Sequence, residues 1–267
     1  MKTFNLFHVP HGISDRNGGV SIGPYATMNT SFYGYDDKTY VYENIKRCLD
    51  AINCDAKIIV ATQQIHSNSI LVLDELFDFS RLEAVDLSGS ALETYKLYVS
   101  KETDGLISTR EDVVLMTFYA DCVPLMFYDP IMRIVASVHS GWRGTSNLIC
   151  QKAVRLMAKL GSKLEDINVG IGPCADKCCY EVDQMVLDAF KKQFKEYTSE
   201  CFGEKKENGH YMLDLKTANT FALSQVGITL SQIELSEHCT ICMPEKYHSH
   251  RRTGYPRGSM SAFIQLK

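Results

Sequence analysis

The feature that most constrains the fold is a pair of apolar runs separated by one turn signal. Leu125 to Tyr128 and Ile134 to Val138 flank the dipeptide Asp129-Pro130. Asp at the first position and Pro at the second are residues that a type I turn prefers. The stretch from Tyr119 to Thr145 is therefore predicted to contain a β-hairpin.

The predicted register brings a cysteine and a histidine together. If the turn runs from Asp129 to Met132 and those two residues pair, Cys122 lies opposite His139. Directly opposed residues have Cβ atoms roughly 4.5–5.5 Å apart, close enough for a thiolate and an imidazole to bind one metal ion. Without a metal, the same pair would be a cysteine nucleophile and its base. The residues leave both chemistries open.

A helix is predicted soon after this histidine. Apolar residues recur at helical spacing from Ser146 to Leu160, with Thr145 as the N-cap and Gly161 as the terminator. The segment before it contains two glycines and Arg143. Free N–H groups at a helix start and a guanidinium fork both suit phosphate or carboxylate. We therefore expect an anion site beside the Cys122–His139 pair.

Composition and charge exclude several classes of protein. The chain has 267 residues and a net charge of −4, and it lacks a basic run, so a nucleic-acid partner is not expected. No apolar run approaches the roughly 18 residues that span a bilayer, and the first residues lack the apolar region of a signal peptide. A cytoplasmic protein of one domain, residues 1–267, is predicted. Most of the ten cysteines are expected to be reduced, because they are not spaced as a disulfide framework.

Local patterns predict strands and helices along the rest of the chain. Asp36 or Asp37 should cap a helix that ends near Ile52, Asp214 should cap one from Leu215 to Val226, and a third should run from about Asp183 to Phe194. Glu75 to Ser100 has no clean period and is expected to be a surface insertion with one short helix near Leu92 to Tyr98. Further strands are predicted at Phe4 to His8, Gly12 to Asp15, Lys57 to Thr62, Ile70 to Leu73, Thr103 to Ser108, Val113 to Tyr119, Ile167 to Ile171, Gln232 to Leu235 and Ser259 to Leu266.

Three other segments contain candidate binding residues. The glycine-rich loop from Arg16 to Tyr25 is a connecting loop, or Arg16 contacts an anion. His66 lies between two predicted strands, where a lone histidine is more often a hydrogen-bonded polar residue than a ligand. His248 to Arg252 is the densest group of titratable donors, and it is either a solvated loop or a binder of an anionic or heteroaromatic ligand.

Five of the cysteines have no assigned role. Cys239 and Cys242 form a CxxC motif without a second CxxC at zinc-ribbon spacing. A redox pair, half of a metal site and structural thiols all remain open for this motif. The adjacent Cys178 and Cys179 are predicted to be buried thiols beside a turn, and the role of Cys174 is open.

Taken together, these motifs resemble the YfiH family. These are laccase-domain proteins once described as multicopper polyphenol oxidases and now regarded as purine nucleoside phosphorylases. The most specific part of the resemblance is the combination of Ala120-Asp121-Cys122 with the His139-Ser140-Gly141-Trp142-Arg143-Gly144 segment. The remaining matches are His11-Gly12, Arg16 to Ser21, Pro24-Tyr25, Gln64-Ile65-His66, Thr103 to Ile107, Tyr128-Asp129-Pro130, Cys178 to Val182, Cys239-Thr240 and Ser249 to Arg252.

The resemblance implies an α+β fold, a single domain of mixed β-sheets with flanking helices of the YfiH-like, cysteine-hydrolase-like kind. It also implies a zinc ion held by His66, Cys122 and His139, or copper acquired on purification. The family cleaves adenosine, inosine and 5′-methylthioadenosine with phosphate to base and pentose 1-phosphate, and deaminates adenosine. Small-molecule substrates and a monomer or homodimer are therefore expected.

The remaining site residues follow from the same resemblance and the motifs above. Asp121 is expected to act in catalysis beside the three metal ligands. Substrate or phosphate is expected to contact Arg16, Arg143, His250 and Arg251. Two residues depart from the family pattern, because His250 stands where tyrosine is usual and Ser140 where alanine is common.

Three other functions compete with this one. The first is a metal-free hydrolase or amidase with Cys122 as nucleophile and His139 as base, acting for instance on peptidoglycan precursors. The second is a copper oxidase, which the 8 histidines disfavour because none form repeated HxH pairs. The third is a non-catalytic nucleotide-binding or scaffold protein.

Overall fold

The computed structural model describes residues 1–267 and contains fourteen strands, most of them short. They are β1 (His11–Ile13), β2 (Ile58–Thr62), β3 (Ile70–Leu73), β4 (Glu83–Val85), β5 (Lys96–Ser100), β6 (Gly105–Ser108), β7 (Val113–Tyr119), β8 (Val123–Asp129), β9 (Ile134–Ser140), β10 (Asn168–Ile171), β11 (Glu181–Val182), β12 (Tyr211–Met212), β13 (Ile233–Leu235) and β14 (Met260–Gln265).

Twelve of these strands form two six-stranded sheets of mixed direction. The first sheet has the order β1-β14-β7-β2-β5-β4 and the second β13-β10-β8-β9-β6-β3. β11 and β12 form a separate small ribbon. Both large sheets combine parallel and antiparallel pairs, as the predicted α+β class requires. The likeness to cysteine hydrolases stays a prediction.

The two sheets pack face to face and helices cover their outer faces. One apolar core joins strands of both sheets, a second lies between the first sheet and α1, and a third lies between the second sheet and α3, α4 and α6. Every residue of β7, β8 and β9 is buried for this reason. The helices are α1 (Lys38–Ala51), α2 (Trp142–Ser146), α3 (Ile149–Lys159), α4 (Gln184–Phe194), α5 (Thr198–Cys201), α6 (Leu215–Ser224) and α7 (His250–Thr253).

None of these helices combines the length and the apolar character that crossing a bilayer would need.

Inside the molecule, a buried polar network links the two sheets. Thr117 on β7 bonds Ser137 on β9 at 2.5 Å, and the Tyr119 hydroxyl donates to the Val138 carbonyl at 3.1 Å. The network fixes β9, which carries His139, against the first sheet.

The predicted hairpin is confirmed, but its register is wrong by two residues. Asp129 pairs with Ile134, and Pro124 rather than Cys122 lies opposite His139. The loop is longer than expected because the Asp129 carboxylate accepts N–H bonds from Ile131 and Met132, and Arg133 adopts a positive φ of 56°. Four residues therefore connect the strands where two were predicted.

The helix predicted from Ser146 is also corrected. It begins at Trp142 and divides at Leu148, whose φ of 57° is left-handed, before α3 continues to Lys159. Thr145 is not the N-cap, because its hydroxyl donates to the Gly141 carbonyl from within the first turn. The chain thus turns into a short helix three residues after His139.

Other local predictions have mixed outcomes. Asp37 and Asp214 cap α1 and α6 with side-chain hydrogen bonds, as the sequence indicated, and Asp183, predicted only as the approximate start of a helix, caps α4 in the same way. The helix near Leu92 to Tyr98 is wrong, because Lys96 to Ser100 is a strand paired with β2 inside the first sheet. The strand predicted from Phe4 to His8 is also absent.

Candidate metal-binding site

His66, Cys122 and His139 come from three separate elements and converge on one point. His66 lies in the loop between β2 and β3, Cys122 directly before β8, and His139 near the end of β9. One ligand atom from each lies within 4.8 Å of the others, and the Cys122 Sγ is 3.9 Å from the His66 Nε2. His66 is exposed and His139 is buried. The group therefore opens to solvent on one side only.

The corrected register explains how Cys122 reaches His139. Extending the β8–β9 pairing places Cys122 opposite Gly141, so that His139 is its diagonal neighbour on the same face. A Cβ on Gly141 would lie 3.0 Å from both the Cys122 Sγ and the His66 Cδ2. The missing side chain at Gly141 thus leaves the space in which the three donors meet.

Asp104 organises two of the three donors. Its buried carboxylate bonds the His139 Nδ1 at 2.8 Å and accepts the backbone N–H of His66 at 3.0 Å and of Ser67 at 2.7 Å. The His66 backbone has a φ of 61°, a strained conformation that these bonds hold in place. Sequence reasoning missed this role. The sequence signal that could have revealed it is the position of Asp104, an acidic residue directly before the buried strand β6.

The tautomer of His139 follows from this contact. Asp104 accepts the hydrogen bond from Nδ1, so Nε2 is the ring nitrogen that faces Cys122 and that would bind a metal ion once deprotonated. Burial would raise the pKa of Asp104, but the hydrogen bond and charge of His139 hold it below its usual value. The acceptor is therefore ionised at neutral pH.

Cys122 and His139 shift each other's pKa in opposite directions. Desolvation would raise the pKa of Cys122, but the charge and hydrogen bond of His139, with a contribution from His66, lower it to about 6. Desolvation likewise opposes the charged form of His139, yet Cys122 and Asp104 raise its pKa to about 9. A thiolate is thus favoured at neutral pH, which is the form that binds metals or attacks an electrophile.

Asp121 lies beside this group, but its oxygens are engaged. They accept the Thr240 hydroxyl at 2.7 Å and the backbone N–H of Arg251 at 2.6 Å. The φ of Asp121 is 93°, which turns the chain into β8. These contacts link the residue before Cys122 to the loop after β13 and to the first turn of α7.

Two of the predicted anion contacts share a pocket. Arg143 and Arg251 both line a cavity of about 410 Å³ that also includes Tyr180. The Arg143 guanidinium stacks 4.2 Å from the Trp142 ring, and that of Arg251 stacks 4.9 Å from the Tyr180 ring. Burial and the charge of Cys122 raise the pKa of Tyr180.

Arg16 and His250 lie elsewhere. The Arg16 guanidinium donates to the carbonyls of Ala26 at 2.9 Å and Pro244 at 2.7 Å, so it braces the glycine-rich loop. His250 is exposed, its ring centroid lies 4.8 Å from that of Tyr255 with the rings tilted by 57°, and it accepts a 3.4 Å hydrogen bond from Arg257. Burial and the Arg257 charge lower the pKa of His250.

Arg257 belongs to a second cavity that the sequence did not reveal. This cavity of about 600 Å³ is lined by Arg257 and four tyrosines: Tyr25, Tyr33, Tyr35 and Tyr255. Burial lowers the pKa of Arg257, while the negative charges of Tyr255, Asp121 and Cys122 act in the opposite direction. We call this cavity the tyrosine pocket. Its tyrosines are too far apart in sequence to form a recognisable motif.

One thiolate and two imidazoles fit a zinc ion that keeps an open position. Three observations support this fit: the close approach of the donor atoms, the Asp104-fixed tautomer of His139, and the space kept by Gly141. The same donor types also suit copper.

Comparisons with known proteins identify the relatives of this chain. The family model described as multi-copper polyphenol oxidoreductase laccase matches residues 10–267. The chain is 33% identical over 257 residues to the purine nucleoside phosphorylase YlmD of Bacillus subtilis (strain 168), covering 96% of this chain and 88% of that protein. It is 31% identical over 243 residues to the adenosine deaminase RL5 of an unknown prokaryotic organism, covering 91% and 88%. The crystal structure of the Bacillus licheniformis hypothetical protein YfiH is 33% identical with a TM-score of 0.83, covering 96% of this chain and 92% of that one.

Proposed function

Because this chain belongs to the multi-copper polyphenol oxidoreductase laccase family, as its resemblance to YfiH proteins indicated, we propose that it is a zinc-dependent purine nucleoside phosphorylase. Its substrates are adenosine, inosine and 5′-methylthioadenosine, and it deaminates adenosine as a side activity. The observation that carries the proposal is the convergence of His66, Cys122 and His139 on one point. The purine chemistry is supported by relatives named for phosphorolysis and deamination.

His66, Cys122 and His139 would hold the zinc ion. Zinc in such a site polarises a substrate oxygen and lowers the pKa of a water molecule from about 15.7 to about 7. Asp104 holds the Nδ1 side of His139, so that Nε2 faces the ion, and it keeps the His66 loop in place. Gly141 leaves the room that the donors need.

The tyrosine pocket is proposed to bind the nucleoside. Aromatic faces bind a purine by stacking, and a cavity of about 600 Å³ lies in the range that small ligands occupy. Arg257 borders this pocket and contacts His250, which faces the same side. The base is therefore placed between tyrosines, with its ribose directed toward Cys122.

Phosphate is proposed to bind at Arg143 and Arg251. Two guanidinium groups lining one cavity suit a dianion. In phosphorolysis, a phosphate oxygen bonds the ribose anomeric carbon while the C–N glycosidic bond breaks and its electron pair leaves with the base. The leaving base takes up a proton, and His250, which is neutral at neutral pH because its pKa is lowered by burial and the Arg257 charge, is proposed to pass this proton on from solvent, because both oxygens of Asp121 are hydrogen-bonded.

The test is incubation of metal-analysed protein with each nucleoside, with and without phosphate, followed by chromatography. Free base is expected only when phosphate is present. Adenosine should be converted to inosine in the absence of phosphate. Cys122→Ala and His66→Ala should abolish both reactions and lower the zinc content, whereas Cys54→Ala, outside the site, should change neither. Binding of a nucleoside without release of base would contradict the proposal.

A metal-free Cys-His hydrolase remains a second candidate, because a Cys122 pKa of about 6 and a His139 pKa of about 9 suit a thiolate–imidazolium pair. The two functions differ in their need for His66. A hydrolase would hold no zinc that depends on His66 and Cys122, and it would keep most of its activity in His66→Ala.

A further inference from the structure

Four cysteines outside the His66–Cys122–His139 group form a second cluster of sulfur atoms. The Sγ atoms of Cys178, Cys179, Cys239 and Cys242 all lie within 4.8 Å of one another. The Cys242 Sγ is 3.4 Å from that of Cys178 and 3.1 Å from that of Cys179. We propose that these four cysteines bind a structural zinc ion, separate from the proposed catalytic one.

The fold brings these residues together by strand order. β10 and β13 are parallel neighbours, so the loops that follow them begin side by side at the same end of the strands. The loop after β10 carries Cys178 and Cys179, and the loop after β13 carries Cys239 and Cys242. A bridge between Cys174 and Cys239, with the Thr240 N–H donating to the Cys174 carbonyl at 2.9 Å, keeps the two loops adjacent.

The spacing of the sulfurs suits a single ion. Zinc–sulfur bonds of about 2.3 Å in a tetrahedron place the sulfur atoms roughly 3.8 Å apart. An iron–sulfur cluster inserts sulfide between its metals and spreads its cysteines more widely. Four thiolates also leave no open coordination position, which is the pattern of structural rather than catalytic zinc.

Hydrogen-bond donors and charges surround the cluster. Backbone N–H groups of Cys242 and Asp176 donate to the Cys239 sulfur. Lys216 does not neutralise the cluster, because its ammonium bonds the Asp176 carboxylate at 2.5 Å. A divalent cation would supply the positive charge that four close sulfurs require.

The ion would hold in place the residues that surround the His66–Cys122–His139 site. Thr240, between two of the cysteines, donates to Asp121, the residue before Cys122. Arg252 donates to the carbonyls of Thr240 and Ile241. Loss of this ion is therefore expected to lower thermal stability first and activity only secondarily.

Zinc analysis of the purified protein and single variants tests the proposal without assaying activity. About two zinc ions per chain are expected in the unsubstituted protein, and about one in either Cys122→Ala or Cys242→Ser. Cys54→Ser, which removes a half-buried cysteine outside both groups, should keep both ions. A single ion that persists in Cys242→Ser and disappears in Cys122→Ala would overturn the proposal and leave the proposed function intact.

X-ray absorption at the zinc edge of Cys122→Ala provides a second readout that requires no change in the cluster. A shell of sulfur alone at about 2.3 Å is expected. Nitrogen or oxygen in that shell, or a disulfide joining Cys242 to Cys178 or Cys179 in the isolated protein, would overturn the assignment. Chelation of this remaining ion should also lower the melting temperature.

Discussion

At Gly141, a hydrogen atom in place of a side chain keeps the space between His66 and Cys122 open. The φ of this residue is −71°, so the backbone itself would accept any residue. Glycine is needed at this position because the side chains of His66 and Cys122 lie too close for a Cβ atom. A substitution at Gly141 therefore tests this steric requirement without adding backbone strain.

We expect Gly141→Ala to lower activity and zinc occupancy of the His66–Cys122–His139 site at least about tenfold, because the added methyl group would lie 3.0 Å from two of the donor side chains. Zinc content and initial rates measure the effect. Gly203→Ala is the control, since its Cβ would meet Met212 only at an ordinary 3.5 Å. Full zinc occupancy in Gly141→Ala would show that the donors do not meet as described.

Asp104→Asn tests the tautomer argument. Asp104 Oδ1 accepts from both the His66 N–H and the His139 Nδ1, and Oδ2 accepts from the Ser67 N–H, so an amide with one acceptor oxygen leaves its NH2 group facing a donor on one of the two sides. Metal affinity, measured by chelator competition, is expected to fall by about 10–100-fold. Asp129→Asn is the matched control, because Asp129 is an equally buried carboxylate that accepts turn N–H groups away from the site. Equal losses in both variants would contradict an orienting role.

Among the elements, those with strong local signals follow the sequence most closely. α1 has an apolar stripe at helical spacing and an Asp37 side chain that accepts the Thr39 N–H at 2.8 Å. α2 lacks such signals, because it is set by the turn out of β9. The single helix predicted from the sequence is therefore two helices in the structure, and the chain changes direction between them at Leu148.

Asp37→Ala is expected to reduce the free energy of unfolding by about 1 kcal/mol, because the N-cap hydrogen bond at the start of α1 is lost. Urea denaturation measures this loss, and nucleoside cleavage should not change. Asp50→Ala removes the same charge from the exposed end of α1 and should cost at most about 0.5 kcal/mol. A similar cost in both variants would assign the effect to charge rather than to capping.

In the whole molecule, both ends of the chain meet at the edge of the first sheet. β1 pairs with β14, and the neighbouring His248 packs against Gly258 with its Nε2 atom unpaired. Burial, with the charges of Arg16 and Arg257, lowers the pKa of His248 to about 3. This residue therefore couples the stability of the whole molecule to pH.

The sign of that coupling follows from the two pKa values. Between pH 6.5 and about 3 the unfolded chain binds a proton at His248 that the folded chain does not, so stability falls as the pH falls. Lowering the pH from 7 to 5 should cost about 2 kcal/mol through this residue. His248→Asn, which keeps a donor but does not titrate, should show a correspondingly flatter dependence in urea denaturation. Identical pH profiles would refute the assignment.

The sequence alone determined the structural features that depend on residues close together in the chain. Alternation and apolar runs indicated most strands, aspartates marked three helix starts, and Asp129-Pro130 marked the turn between β8 and β9. It also identified Cys122 and His139 as partners, although it paired them directly, whereas the structure makes them diagonal.

Only the tertiary structure decided which distant residues meet. His66 joins the other two donors because Asp104 draws its loop to the end of β9. Cys178 and Cys179 meet Cys239 and Cys242 because β10 and β13 lie side by side. Strand order and register are set by the packing of both sheets and their helices, a property of the whole core that no short stretch of sequence contains.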